Sequence, residues 1–180
     1  MKPIYSRLAG SLALTFAIAA CVPQPRPAPP PAEPTPAPAP APVAAPAPVY
    51  SNWMDAPRTA GDWYYLPAPG GGTAVFGPSQ GDGRFTLRCI APQKIVVLSR
   101  MGQARSATTM TIRTETVTRS LAASPTAGQP PAIEARLPAA DPLLDAIALS
   151  KGRFAVEIAG QPSLYLPSWA EVTRVIEDCR

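Results

Sequence analysis

A tract rich in proline and alanine divides this chain and limits the part that can fold into a domain. Residues 22–49 alternate proline with alanine over much of their length, and the chain of 180 residues contains 26 prolines. Proline lacks the amide hydrogen that helices and sheets need, and small side chains bury too little surface to form a core. We therefore expect an extended stalk that could reach roughly 85 Å, followed by one domain at residues 50–180.

The residues before the tract have the features of a bacterial signal peptide, at residues 1–20. Lys2 and Arg7 precede or flank a nearly continuous apolar run, which is too short to span a bilayer. The run ends in Ile18-Ala19-Ala20-Cys21, which resembles the lipobox of bacterial lipoproteins. The resemblance implies cleavage before Cys21, acylation of its sulfur and attachment to a membrane by several acyl chains.

The residue after the lipobox bears on which membrane holds the anchor. In lipoproteins, an aspartate at this position usually means retention in the inner membrane, and here the residue is Val22. The resemblance therefore implies the outer membrane, with the domain facing the periplasm. An ordinary signal cleavage site that releases a soluble protein, with Cys21 as a stray thiol, is the alternative.

The net charge argues against a nucleic-acid partner. The formal charge of +4 includes Lys2 and Arg7 of the leader, and without them it is +2. So weak a net charge supplies little of the positive field that binding to a phosphate backbone requires. We expect no nucleic-acid partner.

Alternation of apolar and polar residues predicts strands through most of residues 50–180. In the segment 84–90, Phe85, Leu87 and Cys89 share one face, and Arg84 and Arg88 lie on the other. Gly, Pro and Ser turns separate most of the candidate strands, among them residues 124–128. Further strands are predicted at 62–66, 73–76, 94–100, 108–114, 116–121, 133–137, 153–158 and 163–166.

Two helical signals come late in the chain. Asp141 as N-cap and Pro142 at the first helical position predict a helix over 142–148. Ser168 and Glu171 have capping-box spacing and predict a second helix, with an apolar stripe of Trp169, Val172, Ile176 and Cys179. The sequence thus predicts a mainly β, β-sandwich-like domain with two short helices in its C-terminal half, and an α+β fold as the fallback.

The cysteine count predicts one disulfide. With Cys21 assigned to lipid, Cys89 and Cys179 remain as an even pair in an oxidising compartment. Both face inward in their predicted elements, and a bridge would close a loop of about 90 residues, worth roughly 4 kcal/mol in the chain-entropy model. Two free buried thiols, or a redox pair, are the alternatives.

The residue types argue against catalysis. The chain has no histidine, which removes the commonest general base and most zinc sites. Asp141 and Asp145 lie four residues apart on one predicted helix, but a cap and a first-turn acid explain them better than a catalytic carboxylate pair. We expect no enzymatic activity, no cofactor and no metal.

Two groups of residues are candidates for binding. Aromatic residues at 53 and 63–65 could form a sugar-stacking platform, although packing in the core or at an edge is the simpler interpretation. Alternation places five arginines on exposed strand faces, where anionic envelope polymers could dock, unless the charges merely keep the sheet soluble. These arginines are Arg84, Arg88, Arg113, Arg119 and Arg136.

Part of the domain resembles a known group of proteins. The segments 85–89 (FTLRC) and 110–113 (MTIR) and the last helix with Cys179 are similar to the small periplasmic β-sandwich accessory proteins found beside type VI secretion systems. The resemblance implies the fold and carries no catalytic motif, and the lipobox and stalk are outside it. The leading functional hypothesis is a non-enzymatic binding or scaffolding module, tethered to the outer membrane, for a periplasmic protein or the peptidoglycan. A purely structural envelope protein, or an inhibitor or accessory of a cell-wall hydrolase, is the alternative.

Overall fold

Alternating apolar residues build the strands, as the third strand shows. The computed structural model describes Tyr50 and residues 52–180. In β3, Phe85, Leu87 and Cys89 are buried while Arg88 is exposed. Within the described residues, the strands are β1 (Asp62–Leu66), β2 (Thr73–Gly77), β3 (Phe85–Ile90), β4 (Ile95–Met101), β5 (Thr108–Arg113), β6 (Thr118–Pro125), β7 (Ala132–Pro138), β8 (Phe154–Ile158) and β9 (Leu164–Leu166), and the α-helices are α1 (Pro142–Ala148) and α2 (Ala170–Asp178).

The strands form one curled antiparallel sheet. Their order is β1-β2-β3-β4-β7-β6-β5-β8-β9. Phe85 of β3 and Phe154 of β8 are not neighbours in this order, yet their ring centroids lie 6.3 Å apart in an edge-to-face contact. The inner faces of both halves therefore share one apolar core, and the prediction of a mainly β domain is confirmed.

The segment before β1 covers the outer strand β9. The amide of Thr59 donates to the carbonyl of Tyr165 at 3.0 Å, and the hydroxyl oxygen of Thr59 accepts from the amide of Tyr165 at 2.8 Å. The indole nitrogen of Trp63 donates to the carbonyl of Pro167 at 2.8 Å, which connects β1 to the end of β9. These bonds use backbone groups that an open edge strand would leave unpaired.

The two helices pack on the sheet with their apolar faces. Helix α2 contacts β1, β2 and β3, and it buries Val172, Val175 and Ile176. Helix α1 buries Leu143, Leu144 and Ile147 in the same core. Helix propensity alone does not stabilise segments this short, so burial of these apolar faces holds both helices in place.

Three details of the predicted elements are wrong. The Ser168–Glu171 capping box does not form, because α2 begins at Ala170 and the buried hydroxyl of Ser168 has no hydrogen-bond partner in the described structure. Trp169 is 37% exposed instead of lying on the apolar stripe. Strand β6 continues to Pro125, where a turn is predicted, because Ser124 and Pro125 pair with β7.

The described residues also bear on membrane insertion. No helix among them combines the length and apolar character needed to cross a bilayer. The predicted signal peptide and stalk lie outside the described residues.

Candidate anion-binding surface

Arg88 and Arg136 lie on the outer face of the sheet, with one strand between them. Arg88 of β3 is directly opposite Val97 of β4, and Val97 is directly opposite Arg136 of β7. Directly opposed residues of an antiparallel sheet project to the same face, so both guanidinium groups lie on one surface. The nearest carboxylate of Arg136 is Glu134 at 3.9 Å, and the Arg136 side chain remains 56% exposed.

Arg84 extends this surface at the beginning of β3. Its amide donates to the carbonyl of Phe76 at 2.7 Å, and its carbonyl accepts from the amide of Met101 at 3.0 Å. The backbone is thus fixed by both neighbouring strands while the side chain is exposed. Among the described residues, no carboxylate lies within salt-bridge distance of Arg84 or Arg88.

Arg113 lies elsewhere on the sheet and is neutralised. It belongs to β5, in the other half of the strand order, and its Nε atom is 3.2 Å from a carboxylate oxygen of Glu157 on β8. The five predicted arginines therefore do not form one surface. Arg88 and Arg136 share a face of β3, β4 and β7, Arg84 lies beside them just before β3, and Arg113 is separate.

Arg119 is not on an exposed face, which corrects the prediction made from alternation. It is directly opposite Ile112, which is fully buried. Directly opposed residues share a face, so the Arg119 side chain projects from the inner face of β6. Its two terminal nitrogens donate to the two oxygens of Asp141 at 2.8 and 2.6 Å. These hydrogen bonds lower the pKa of the Asp141 carboxyl below its ordinary value and raise the pKa of Arg119. Arg119 therefore serves the fold and is not available to an anionic partner.

Arg100 is a buried cation that the sequence predictions did not single out. It lies opposite Phe85 on the inner face and is only 8% exposed. Its guanidinium donates to the carbonyl of Met101 and, at 3.3 Å, to that of Pro162. Burial, together with the positive charge of Arg84, lowers the pKa of Arg100. The signal was present in the sequence, because alternation in β4 puts Arg100 on the same face as Val96 and Leu98.

The aromatic residues do not form a sugar-stacking platform. Trp63 is buried at 5% exposure, with its ring centroid 5.3 Å from that of Phe76. Tyr64 and Tyr65 are consecutive strand residues and project to opposite faces. Tyr65 donates a hydrogen bond to Asp178, which raises the pKa of the Tyr65 phenol. The first two strands therefore use their aromatic residues for packing and for contact with α2.

The predicted disulfide between Cys89 and Cys179 is confirmed. The bond joins β3 to the residue after α2, with 5.4 Å between the two Cα atoms. Asp141 caps α1 by accepting from the amide of Leu143 at 2.8 Å, and Asp145 is paired with Arg180 at 2.7 Å. The predicted lipidation site, Cys21, lies outside the described residues. In the part of the chain that the structure describes, no three His, Cys, Asp or Glu side chains are grouped as metal ligands would be.

Comparison of the chain with models of known protein families, with curated proteins and with solved structures found no match.

Proposed function

We propose that this chain is a lipoprotein of the bacterial envelope, anchored in the outer membrane through Cys21, whose domain binds the cell wall without catalysing a reaction. The observation that supports it is the group of Arg84, Arg88 and Arg136. Among the described residues, no carboxylate lies within salt-bridge distance of Arg84 or Arg88, and the exposed Arg136 contacts Glu134 only at 3.9 Å. Positive charge that the protein does not neutralise favours an anionic partner. Peptidoglycan carries many carboxylates on its peptides, and it lies within reach of an extended stalk of this length.

The geometry of this surface suits an extended polymer. Arg84 lies just before β3 and Arg88 four residues further along within it, a spacing of roughly 13 Å at about 3.3 Å per extended residue. Arg88 and Arg136 are two strands apart, or roughly 9.5 Å at the usual strand separation. Charges spread over such distances can contact several carboxylates of one polymer. Each contact is weak on an exposed surface, but several contacts acting together add their effects.

Co-sedimentation with purified peptidoglycan tests the proposal. The mature full chain is mixed with peptidoglycan sacculi, and the variant Arg84→Gln/Arg88→Gln/Arg136→Gln is compared with Arg105→Gln/Arg113→Gln/Lys151→Gln. Both variants lose three positive charges, but only the first loses them from the proposed surface. We expect the first variant to bind about tenfold more weakly, since each exposed pair contributes up to about 1 kcal/mol, and the second to bind like the wild type.

The same comparison can overturn the proposal. If the wild-type chain does not sediment with sacculi, the cell wall is not the partner. If both variants bind equally well, the contact is nonspecific or lies on another surface. Binding should also weaken as salt rises, because exposed charges are screened over roughly 8 Å at physiological ionic strength.

The anchor is tested by intact mass. The precursor is expressed in a bacterium, extracted from membranes and compared with the variant Cys21→Ser. We expect the wild type to have lost residues 1–20 and gained a diglyceride and a further acyl chain. An unlipidated soluble product would refute the anchor and leave the peptidoglycan experiment as a separate question.

A further inference from the structure

A cavity of about 310 Å³ opens beside Arg84, at the side of the sheet where the segment before β1 meets β9. Arg58 and Arg84 both line it, and none of the described residues that line it is acidic. The rest of the wall is formed by apolar or uncharged residues, including Pro57, Ala60 and Pro162. This volume is at the lower end of the range for small-molecule sites, about 300 to 1,000 Å³.

The two arginines of the cavity are held by separate parts of the structure. The guanidinium of Arg58 lies over the ring of Trp169, 5.2 Å from its centroid, and this contact limits the orientation of the side chain. The backbone of Arg84 is bonded to β2 and β4 on both sides. The contact with Trp169 therefore reduces the conformational freedom that the Arg58 side chain loses when it binds a ligand.

A third guanidinium reinforces the positive charge from behind the cavity wall. Arg100 donates to the carbonyl of Pro162, and Pro162 lines the cavity. Arg100 is buried and, within the described residues, no carboxylate pairs with it. A buried charge without an opposite charge is costly, and an anion in the adjacent cavity would offset part of that cost.

We propose that this cavity binds the terminal carboxylate of a short peptide whose last residues are small and partly apolar. Arg58 and Arg84 supply the guanidinium donors, which can bind a carboxylate in bidentate geometry. Ser163 and Thr59 also line the cavity, and a hydroxyl group can donate a hydrogen bond to the same carboxylate. Tyr50 and Tyr165, whose ring centroids are 6.5 Å apart, form an apolar wall against which methyl groups can pack.

The peptide form of the ligand rests on the proposed function, because peptidoglycan peptides end in small residues with a free carboxylate. A sugar phosphate offers the same oxyanion chemistry from another source. The probes are therefore N-acetyl-D-alanyl-D-alanine, its C-terminal amide and glucose 1-phosphate. They separate the carboxylate, the apolar part and the phosphate as sources of binding.

Calorimetric titration of the mature full chain with each probe tests the proposal. We expect saturable binding of the peptide acid, and no binding of the amide, which lacks the negative charge. The variant Arg84→Gln should bind the acid at least about tenfold more weakly, as expected for the loss of a charge-assisted hydrogen bond. Arg105→Gln is the matched control, since it removes the same charge from an exposed residue that does not line the cavity. Thermal unfolding of each variant checks that it is folded.

Three results of the titration would decide against the proposal. Equal binding of acid and amide, or unchanged binding in Arg84→Gln, would show that the cavity is not an oxyanion site. If the chain binds glucose 1-phosphate but not the peptide acid, the ligand is not the carboxylate of a peptide. Sedimentation with sacculi separates this proposal from the function on which it rests. A wild-type chain that sediments but does not bind the peptide acid refutes only the cavity, and one that binds the acid but does not sediment refutes only the cell-wall function.

Discussion

Arg119 of β6 holds Asp141, the residue that caps α1, through two hydrogen bonds of 2.8 and 2.6 Å. One oxygen of the same carboxylate also accepts from the amide of Leu143 at 2.8 Å. Asp141 therefore serves both as the helix cap and as a partner of the sheet. Because the helix contributes Leu143, Leu144 and Ile147 to the core, this carboxylate fixes the position of buried side chains that it does not itself contact.

Substitution of Asp141 should separate its two roles. Asn can still cap a helix but cannot form an ion pair, whereas Ala can do neither. We expect Asp141→Ala to lower the free energy of unfolding by about 1 kcal/mol more than Asp141→Asn does, which is the usual contribution of a cap. Urea unfolding of both variants and the wild type measures the difference. Equal losses would show that the Leu143 contact contributes nothing.

The stability of the wild type should fall in acid partly because of this carboxylate. The pKa of Asp141 is lower in the folded protein than its ordinary value of 3.8, chiefly through the hydrogen bonds from Arg119. Such a group stabilises the fold above its unfolded pKa, and that contribution is lost as the pH falls through the folded pKa. The stability difference between the wild type and Asp141→Asn should therefore be constant above about pH 5 and shrink below about pH 4. Urea midpoints measured across this range check it, and a difference that stays constant in acid would contradict it.

The positions of the strands could be predicted because the residues of each strand carry the pattern that indicates it. Alternation in segments such as Phe85–Ile90, bounded by turn residues, places a strand without knowledge of its partners. The same rule places Arg100 on the buried face of β4, but charge by itself suggests exposure. The prediction for Arg119 also failed because its charge suggests exposure. Its partner Asp141 comes from a different element, so the local sequence does not reveal the ion pair.

The candidate sites depend on pairings that no local pattern encodes. The order of the strands decides that Arg88 and Arg136 share a surface and that Arg113 does not. The cavity beside Arg84 is lined by segments from three distant parts of the chain, near residues 58, 84 and 163. The disulfide was predictable because the number of cysteines left only one internal pair once Cys21 was assigned to lipid.

The backbone beside the disulfide requires a glycine. Gly71 has a φ of +120°, and a Cβ atom there would lie 2.6 Å from the sulfur of Cys89. We expect Gly71→Ala to lower the free energy of unfolding by at least about 2 kcal/mol through strain and overpacking. Gly81→Ala is the matched control, since nothing lies within 4 Å of its Cβ position, and it should change stability by less than about 0.5 kcal/mol. Urea unfolding compares the two, and similar losses would show that this loop adjusts freely.

Removal of the disulfide should have a large effect on stability. The bond closes a loop with a sequence separation of 90 residues. In the chain-entropy model such a bridge contributes about 4 to 5 kcal/mol. In a Cys21→Ser background, we expect Cys89→Ala/Cys179→Ala to lose about that much in urea unfolding. Reductant should destabilise the parent and leave the variant unchanged, and a parent that reductant does not affect would contradict the expected contribution.

The bond between β1 and the end of β9 should depend on the indole of Trp63. Trp63→Phe removes the donor to the buried carbonyl of Pro167 and leaves a small cavity beside Phe76. A buried carbonyl without a partner and lost packing together should cost about 2 to 3 kcal/mol. Trp169→Phe is the control, because Trp169 is partly exposed and its ring lies under the guanidinium of Arg58. We expect that variant to lose less than about 1 kcal/mol. If the two variants lose equal stability in urea, the hydrogen bond from Trp63 to the carbonyl of Pro167 contributes nothing measurable to the stability of the domain.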